Sequence, residues 1–143
     1  MYRHNIDLEI IDWKLRIYVE YCKALPKMYE RLKDISDEIK FFGYPKKSIL
    51  SKNQNYYSVS TEDELLDLIG KKDNYLKIYN EYLVFIRSIN KILRIINPED
   101  IYILSLRYEK GLTFRKIGDI LHYSYMNVSR DIDRILYNFV EFY

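Results

Sequence analysis

The sequence predicts an all-α protein, with an N-terminal bundle or hairpin of long helices followed by a C-terminal helix-turn-helix. Three observations carry this. Apolar residues recur at intervals of three and four over most of the chain, as they do along one face of a helix. Only 4 Gly and 3 Pro interrupt 143 residues, 48% of them hydrophobic, which leaves few places for loops. Helix-start signatures stand at Ser60, Asn97, Thr113 and Ser124.

The first helical pattern is the face Tyr18, Tyr21, Leu25, Met28, Leu32, Ile35, Ile39 and Phe42. Pro26 interrupts it, removing an amide donor and crowding the preceding turn. The apolar phase runs through Pro26, which favours a kink over a break. Residues 43–60 lack a helical period and carry Lys46, Lys47 and Lys52 with no acid. They read as a solvated linker between antiparallel helices, with a basic arm touching phosphate as the alternative. Ser60 then opens a long helix, Asp63 standing in the capping-box position. The helix runs to about Ile96. Leu65, Ile69, Leu76, Tyr79, Leu83, Ile86 and Leu93 keep a heptad phase, with Lys72 and Asn90 in the same seam. A lone Asn in such a seam can fix register and oligomer state. A second stripe, Ile78, Tyr82, Phe85, Ile89, Ile92 and Ile96, makes the C-terminal half apolar on much of its circumference. Such a helix is buried by several neighbours. These elements define residues 1–96 as a helical bundle and dimerisation region.

Residues 97–143 form the second region. In Asn97-Pro98-Glu99-Asp100, Asn caps, Pro fits the first turn, and the acids oppose the positive end of the helix dipole. Ile101, Leu104 and Tyr108 lie near one face, widened by Ile103 and Leu106, and Gly111 stands at a C-cap position. Thr113 caps a short helix whose buried face is Ile117, Ile120 and Leu121. Gly118 lies beside Ile117, and since Gly costs about 1 kcal/mol in a helix interior, close approach of two helix backbones is the expected reason. His122-Tyr123-Ser124 makes a turn, and Ser124 caps a third helix with the buried stripe Val128, Ile132, Ile135, Leu136 and Phe139. Short helix, tight turn and longer helix with a polar leading face is the layout of a DNA-reading helix-turn-helix.

Leu106-Arg107-Tyr108, Gly111 to Gly118, Leu121-His122-Tyr123-Ser124 and Val128-Ser129-Arg130 resemble the region 4 helix-turn-helix of bacterial sigma factors. More closely, they are similar to the sigma-region-4-like regulators of phages and prophages, the ArpU/RinA-like late-gene activators. Gly118 stands where that family usually carries Ala, and Asp131 and Asp133 make the third helix less basic than the family's. The resemblance implies a transcriptional regulator that binds double-stranded DNA as a homodimer in the cytoplasm of a bacterial host cell. RNA polymerase is a further possible partner.

The expected DNA-binding residues are Arg115, Lys116, Tyr125, Met126, Asn127, Ser129, Arg130 and Arg134. Asn pairs bidentately with adenine and Arg with guanine, so Asn127 and Arg130 are candidate base readers; a solvated helix face is the alternative. Arg115 and Lys116 would clamp phosphate. Tyr125 and Met126 would meet thymine methyls or phosphate, although packing is the better reading of Met126. For Arg134 a surface ion pair with Asp131 is the better reading. From Pro98 to the end, six Lys/Arg face seven Asp/Glu, a net of −1, but Lys110, Arg115, Lys116 and Arg130 outnumber Asp119 between residues 110 and 130. The net charge of the whole chain, +2, is too small to indicate nucleic acid. A protein-interaction module that binds RNA polymerase or a sigma factor, with little DNA contact, is the alternative function. Cys22 is the single cysteine, and with His4 and His122 it gives no metal-ligand spacing. No catalytic motif is present, and no enzyme, cofactor, leader peptide or membrane span is expected.

Overall fold

The computed structural model describes residues 2–43 and 62–142. Every regular element among them is helical. The α-helices are α1 (Tyr2–Lys40), α2 (Glu62–Leu93), α3 (Pro98–Leu104), α4 (Phe114–Leu121) and α5 (Tyr125–Phe142); a π-helical turn, Ser105–Glu109, continues α3. The linker or basic arm read at Lys46, Lys47 and Lys52, and the cap at Ser60, lie outside the described residues.

α1 passes through Pro26 without a break. Its apolar phase explains why: Met28, Leu32 and Ile35 beyond the proline are buried, and no member of the face from Tyr18 to Phe42 is exposed. Burial of each such side chain is worth about 1.5–3 kcal/mol, against about 3 kcal/mol for the proline. α2 ends at Leu93, earlier than the periodicity suggests, because a turn through Ile95 and Ile96 precedes α3.

The chain forms two compact units, residues 1–23 with 83–143, and residues 24–82. Among the described residues of the 24–82 unit the buried ones are Met28, Leu32 and Ile35, while Leu66, Ile69, Leu76 and Ile78 of α2 stand exposed. The other unit holds one continuous apolar cluster. Ile11 and Leu15 of α1 and Ile89 and Ile92 of α2 meet Ile103, Leu104, Leu106, Ile117, Val128, Ile132, Ile135, Leu136 and Phe139 in it. The division drawn from the sequence between residues 96 and 97 is therefore a turn in the chain and not a gap in the core. The expectation that the apolar C-terminal half of α2 has several neighbours is met here, because Ile86, Ile89 and Ile92 are its buried residues.

Polar contacts set the register of α1 within this unit. Tyr18 donates its hydroxyl to Asn90 Oδ1 at 2.6 Å, and the rings of Tyr21 and Phe85 meet edge to face at 5.3 Å. As one helix advances the other recedes, so α1 and α2 are antiparallel here. Asn90 thus has a partner within the chain, where it fixes the register of α1 against α2. Further along α1, Tyr108 donates to Asp12 Oδ1 at 2.6 Å, and Arg16 Nε donates to Asp12 Oδ2 at 3.0 Å. The Arg16 guanidinium also lies 5.5 Å from the centre of the Tyr108 ring.

The π-helical turn brings Tyr108 to this contact. Lys110 N donates to Ser105 O at 2.9 Å and Leu112 N to Leu106 O at 3.1 Å, both longer loops than an α-helix makes. Leu104 of the face read from the sequence is buried, with Ile103 and Leu106 widening it as expected, and Ile101 and Tyr108 are half-buried.

Both tyrosines make the unit sensitive to alkali. Burial raises the Tyr18 phenol to about 12, with Cys22 adding to the rise. Burial, and then the bond to Asp12, raises Tyr108 as well. An unfolded Tyr ionises near about 10, so the folded state holds these protons more tightly. The contribution of Tyr18 is complete below about pH 10 and is lost as pH rises through about 12, and that of Tyr108 declines from about pH 10 upward. Urea unfolding at rising pH should show the midpoint falling across this window, and Tyr108→Phe should fall less steeply than the parent chain.

Candidate nucleic-acid interface

The three residues His122, Tyr123 and Ser124 join α4 to α5. Each helix start is capped as its residues dictate. Thr113 accepts at its hydroxyl from Lys116 N at 3.3 Å, and Ser124 Oγ accepts from Asn127 N at 3.3 Å. Both satisfy a first-turn amide that the helix itself cannot. Asn97, by contrast, makes no side-chain cap bond; only its carbonyl takes part, accepting from Ile101 N at 3.0 Å.

The turn is closed by backbone. His122 takes φ +60°, the left-handed conformation that ends many helices, and Tyr123 N donates to Gly118 O at 3.0 Å. Gly118 permits this closure. A Cβ there would stand 2.5 Å from the Tyr123 carbonyl oxygen and 3.4 Å from Tyr125 N. The close neighbour is thus the turn and the first residue of α5, and not a second helix backbone along its length. Gly118→Ala regains about 1 kcal/mol of helix propensity but forces backbone to move, an overpacking cost of about 1–3 kcal/mol. A net loss of about 1 kcal/mol is expected for Ala and a larger one for Val, read from the urea midpoint.

Further side chains brace the segment. Tyr123 donates its hydroxyl to Asp131 Oδ2 at 2.8 Å. Arg107 donates to Leu112 O at 2.9 Å, and its guanidinium lies 4.3 Å from the centre of the Phe114 ring. Gly111, at φ +67°, turns the chain between them as its sequence position suggests. Arg107 therefore holds the loop that leads into α4.

α5 divides into two faces. Val128, Ile132, Ile135, Leu136 and Phe139 are all buried, as the sequence predicts. Tyr125, Met126, Asn127, Arg130 and Arg134 are exposed and Ser129 is half-buried. On α4, Arg115 and Lys116 are exposed. The Arg115 guanidinium lies 5.9 Å from the centre of the Tyr125 ring, so these two expected contact residues are neighbours across the turn. Ile120, expected in the buried face of α4, is 44% exposed; Ile117, with Gly118 beside it, is buried as expected, and Leu121 is half-buried.

Arg134 makes the expected ion pair with Asp131, at 3.9 Å, and a closer one that its local sequence does not announce. Its two terminal nitrogens donate to the Asp100 carboxylate at 2.9 and 3.1 Å. Asp100 is buried and was read from the sequence only as a dipole-facing acid. A bidentate bond of this kind fixes orientation as well as charge, and here it ties the first turn of α3 to the middle of α5. The two residues stand 34 positions apart, and no local pattern marks the pair.

No protein family, curated protein or solved structure matches this chain. The reading of the α4–α5 face rests on its own geometry. Among the described residues no three His, Cys, Asp or Glu side chains gather as a metal site would require, and no helix is long and apolar enough to cross a membrane.

Proposed function

We propose that the protein is a sequence-specific transcriptional regulator of phage or prophage type, whose sigma-region-4-like helix-turn-helix reads double-stranded DNA. α5 would enter the major groove by its first turns. The observation that carries this is the division of α5: a leading face with Tyr125, Met126, Asn127 and Arg130 turned to solvent, backed by an unbroken buried stripe. Arg115 and Lys116 at the start of α4 flank that face, where phosphates would run. Ser129, half-buried, has backbone-facing reach at most. Arg134, held by Asp100, positions α5 and contributes little to base reading. Two copies reading a roughly two-fold site, with half-sites about one helical turn apart, give the surface that one reader lacks.

Selection from a random duplex pool, at moderate and at high salt, tests the reading. An enriched and roughly palindromic site, bound more weakly as salt rises, is the expected result. Asn127→Ala with Arg130→Ala should then relax preference at the contacted positions, by about 1–3 kcal/mol for each base pair lost. Arg115→Ala and Lys116→Ala should weaken all sequences alike and lower the salt slope by about one each.

A second reading takes the same module as a docking surface for RNA polymerase or a sigma factor. The net −1 from Pro98 onward, the commitment of Arg134 to Asp100 and the exposed Ile120 favour it. Absence of any enriched DNA, together with salt-insensitive association with polymerase, would move the assignment there.

A further inference from the structure

The outer face of α5 carries an arginine that the fold does not leave to solvent. Arg134 follows Asn127 and Arg130 on the same helix, and all three are exposed. At about 100° per residue the three lie within about 60° of one another. At about 1.5 Å per residue, Arg134 stands roughly 10 Å along the axis from Asn127, and a major groove is about 12 Å wide. A helix that reads bases at Asn127 and Arg130 thus leaves the groove near position 134, where the groups it next meets are phosphates. Arginine suits such a place, because its planar fork matches phosphate oxygens.

Asp100 occupies that fork. Both terminal nitrogens of Arg134 donate to its carboxylate, at 2.9 and 3.1 Å. The Asp100 side chain is 10% exposed, against 51% for Arg134. Asp131 holds the arginine less well. It stands 3.9 Å away with its side chain 35% exposed, and it also accepts from the Tyr123 hydroxyl. An open ion pair of that kind contributes little, whereas a bidentate bond to a buried carboxylate resists competition. A strut between α3 and α5 needs no residue of the reading face; this one takes its cation from there.

We propose that Asp100 is an intramolecular competitor for phosphate: by keeping Arg134 engaged, it limits how strongly the protein holds DNA of any sequence. Asp100 itself touches no DNA and acts through Arg134. Sequence-independent attraction then falls to Arg115 and Lys116. Phosphate contacts add affinity without distinguishing one site from another, so withholding one lowers binding to every duplex alike and leaves less of the protein on bulk DNA. The inference rests on the proposed meeting of the α5 face with duplex DNA, and not on the recognition of a particular sequence.

The test is the affinity of the full chain for a labelled random-sequence duplex, measured by fluorescence anisotropy over a range of salt. Circular dichroism establishes that each variant keeps its helices, and Asp100→Ser replaces Asp100→Asn if the latter does not. Asp100→Asn should steepen the salt dependence by about 0.9 per chain, the value of one new phosphate contact, and tighten binding roughly fivefold at about 0.1 M salt. Arg134→Gln should leave the slope of the parent unchanged, because its arginine is not on phosphate. Asp100→Asn combined with Arg134→Gln should return to the parent slope. Asp133→Asn, which removes an exposed acid of the same helix, should also keep that slope. A lower slope in Arg134→Gln overturns the inference, because Arg134 would then already meet phosphate. So does an unchanged slope in Asp100→Asn, a gain that survives in the double variant, or an equal gain in Asp133→Asn. The duplex selection separates this inference from the proposed function. An enriched site with an unchanged Asp100→Asn slope keeps the reader and loses the competitor. No enriched site, with a steeper Asp100→Asn slope on the random duplex, keeps the competitor and loses the sequence reader. A parent and an Asp100→Asn chain that both bind no duplex overturn the two together.

Discussion

Phe139→Ala should lower the stability of the protein by about 3–5 kcal/mol, the usual cost of deleting a fully buried aromatic ring. Phe139 is 0% exposed, as are Ile117, Val128 and Ile135 around it in the same cluster. Truncation removes the transfer free energy of the ring and leaves a cavity that these close-packed neighbours fill only in part. Domains of this size are stable by about 5–15 kcal/mol in all, so the variant should be visibly unfolded well below the parent's urea midpoint. Tyr125→Ala and Met126→Ala supply the contrast. They lie on the other face of the same helix at 52 and 54% exposure and should move the midpoint by no more than about 0.5 kcal/mol. If Met126→Ala cost as much as Phe139→Ala, the assignment of faces to α5 would be wrong, and with it the surface offered to DNA.

That contrast also marks what the sequence reveals. The stripe Val128, Ile132, Ile135, Leu136 and Phe139 is legible because α5 is regular and amphipathic: position along the chain translates directly into angle around the helix. The caps at Thr113 and Ser124 are legible for a similar reason, since a capping bond spans only three residues. The exposed candidates Arg115, Lys116, Tyr125, Asn127 and Arg130 follow as the remainder once the buried stripe is assigned.

Where backbone geometry departs from the α-helix, or where contacts are distant in sequence, the reading loses its footing. Nothing in Ser105-Leu106-Arg107-Tyr108-Glu109 announces a π-helical turn. Asp100 and Arg134, Asp12 and Tyr108, and Tyr18 and Asn90 are pairs whose members lie on different helices. Their residue types are each explained well enough by a local role: a dipole-facing acid, a surface ion pair, a register-fixing Asn. Only the tertiary arrangement shows that the same groups hold α1 and α3 to the rest. Gly118 is an intermediate case. Its cost in a helix signals that something approaches, but the sequence does not say that the something is the Tyr123 carbonyl.

The same limit explains why residues 97–143, which look self-sufficient in the sequence, should fail to fold alone. Ile11, Leu15, Ile89 and Ile92 are 4, 3, 1 and 5% exposed, and all four belong to the cluster that buries α4 and α5. A fragment starting at Asn97 leaves their partners open to water, and a short chain has little other apolar surface with which to offset the entropy of ordering. It also loses Asp12, the acceptor for the Tyr108 hydroxyl. The fragment should show weak helical circular dichroism and a broad, non-cooperative melt. A chain that joins residue 23 to residue 83 by a short flexible linker should instead melt cooperatively. Tyr21 against Phe85 places those two ends close together, and the joined chain retains the whole cluster. A sharp melt with full helicity from 97–143 alone would show that α1 and α2 merely lean on the reader. Failure of that fragment beside a cooperative joined chain would mean that the N-terminal helices are part of the reader's own core, so that whatever moves or pairs α1 bears directly on the face presented by α5.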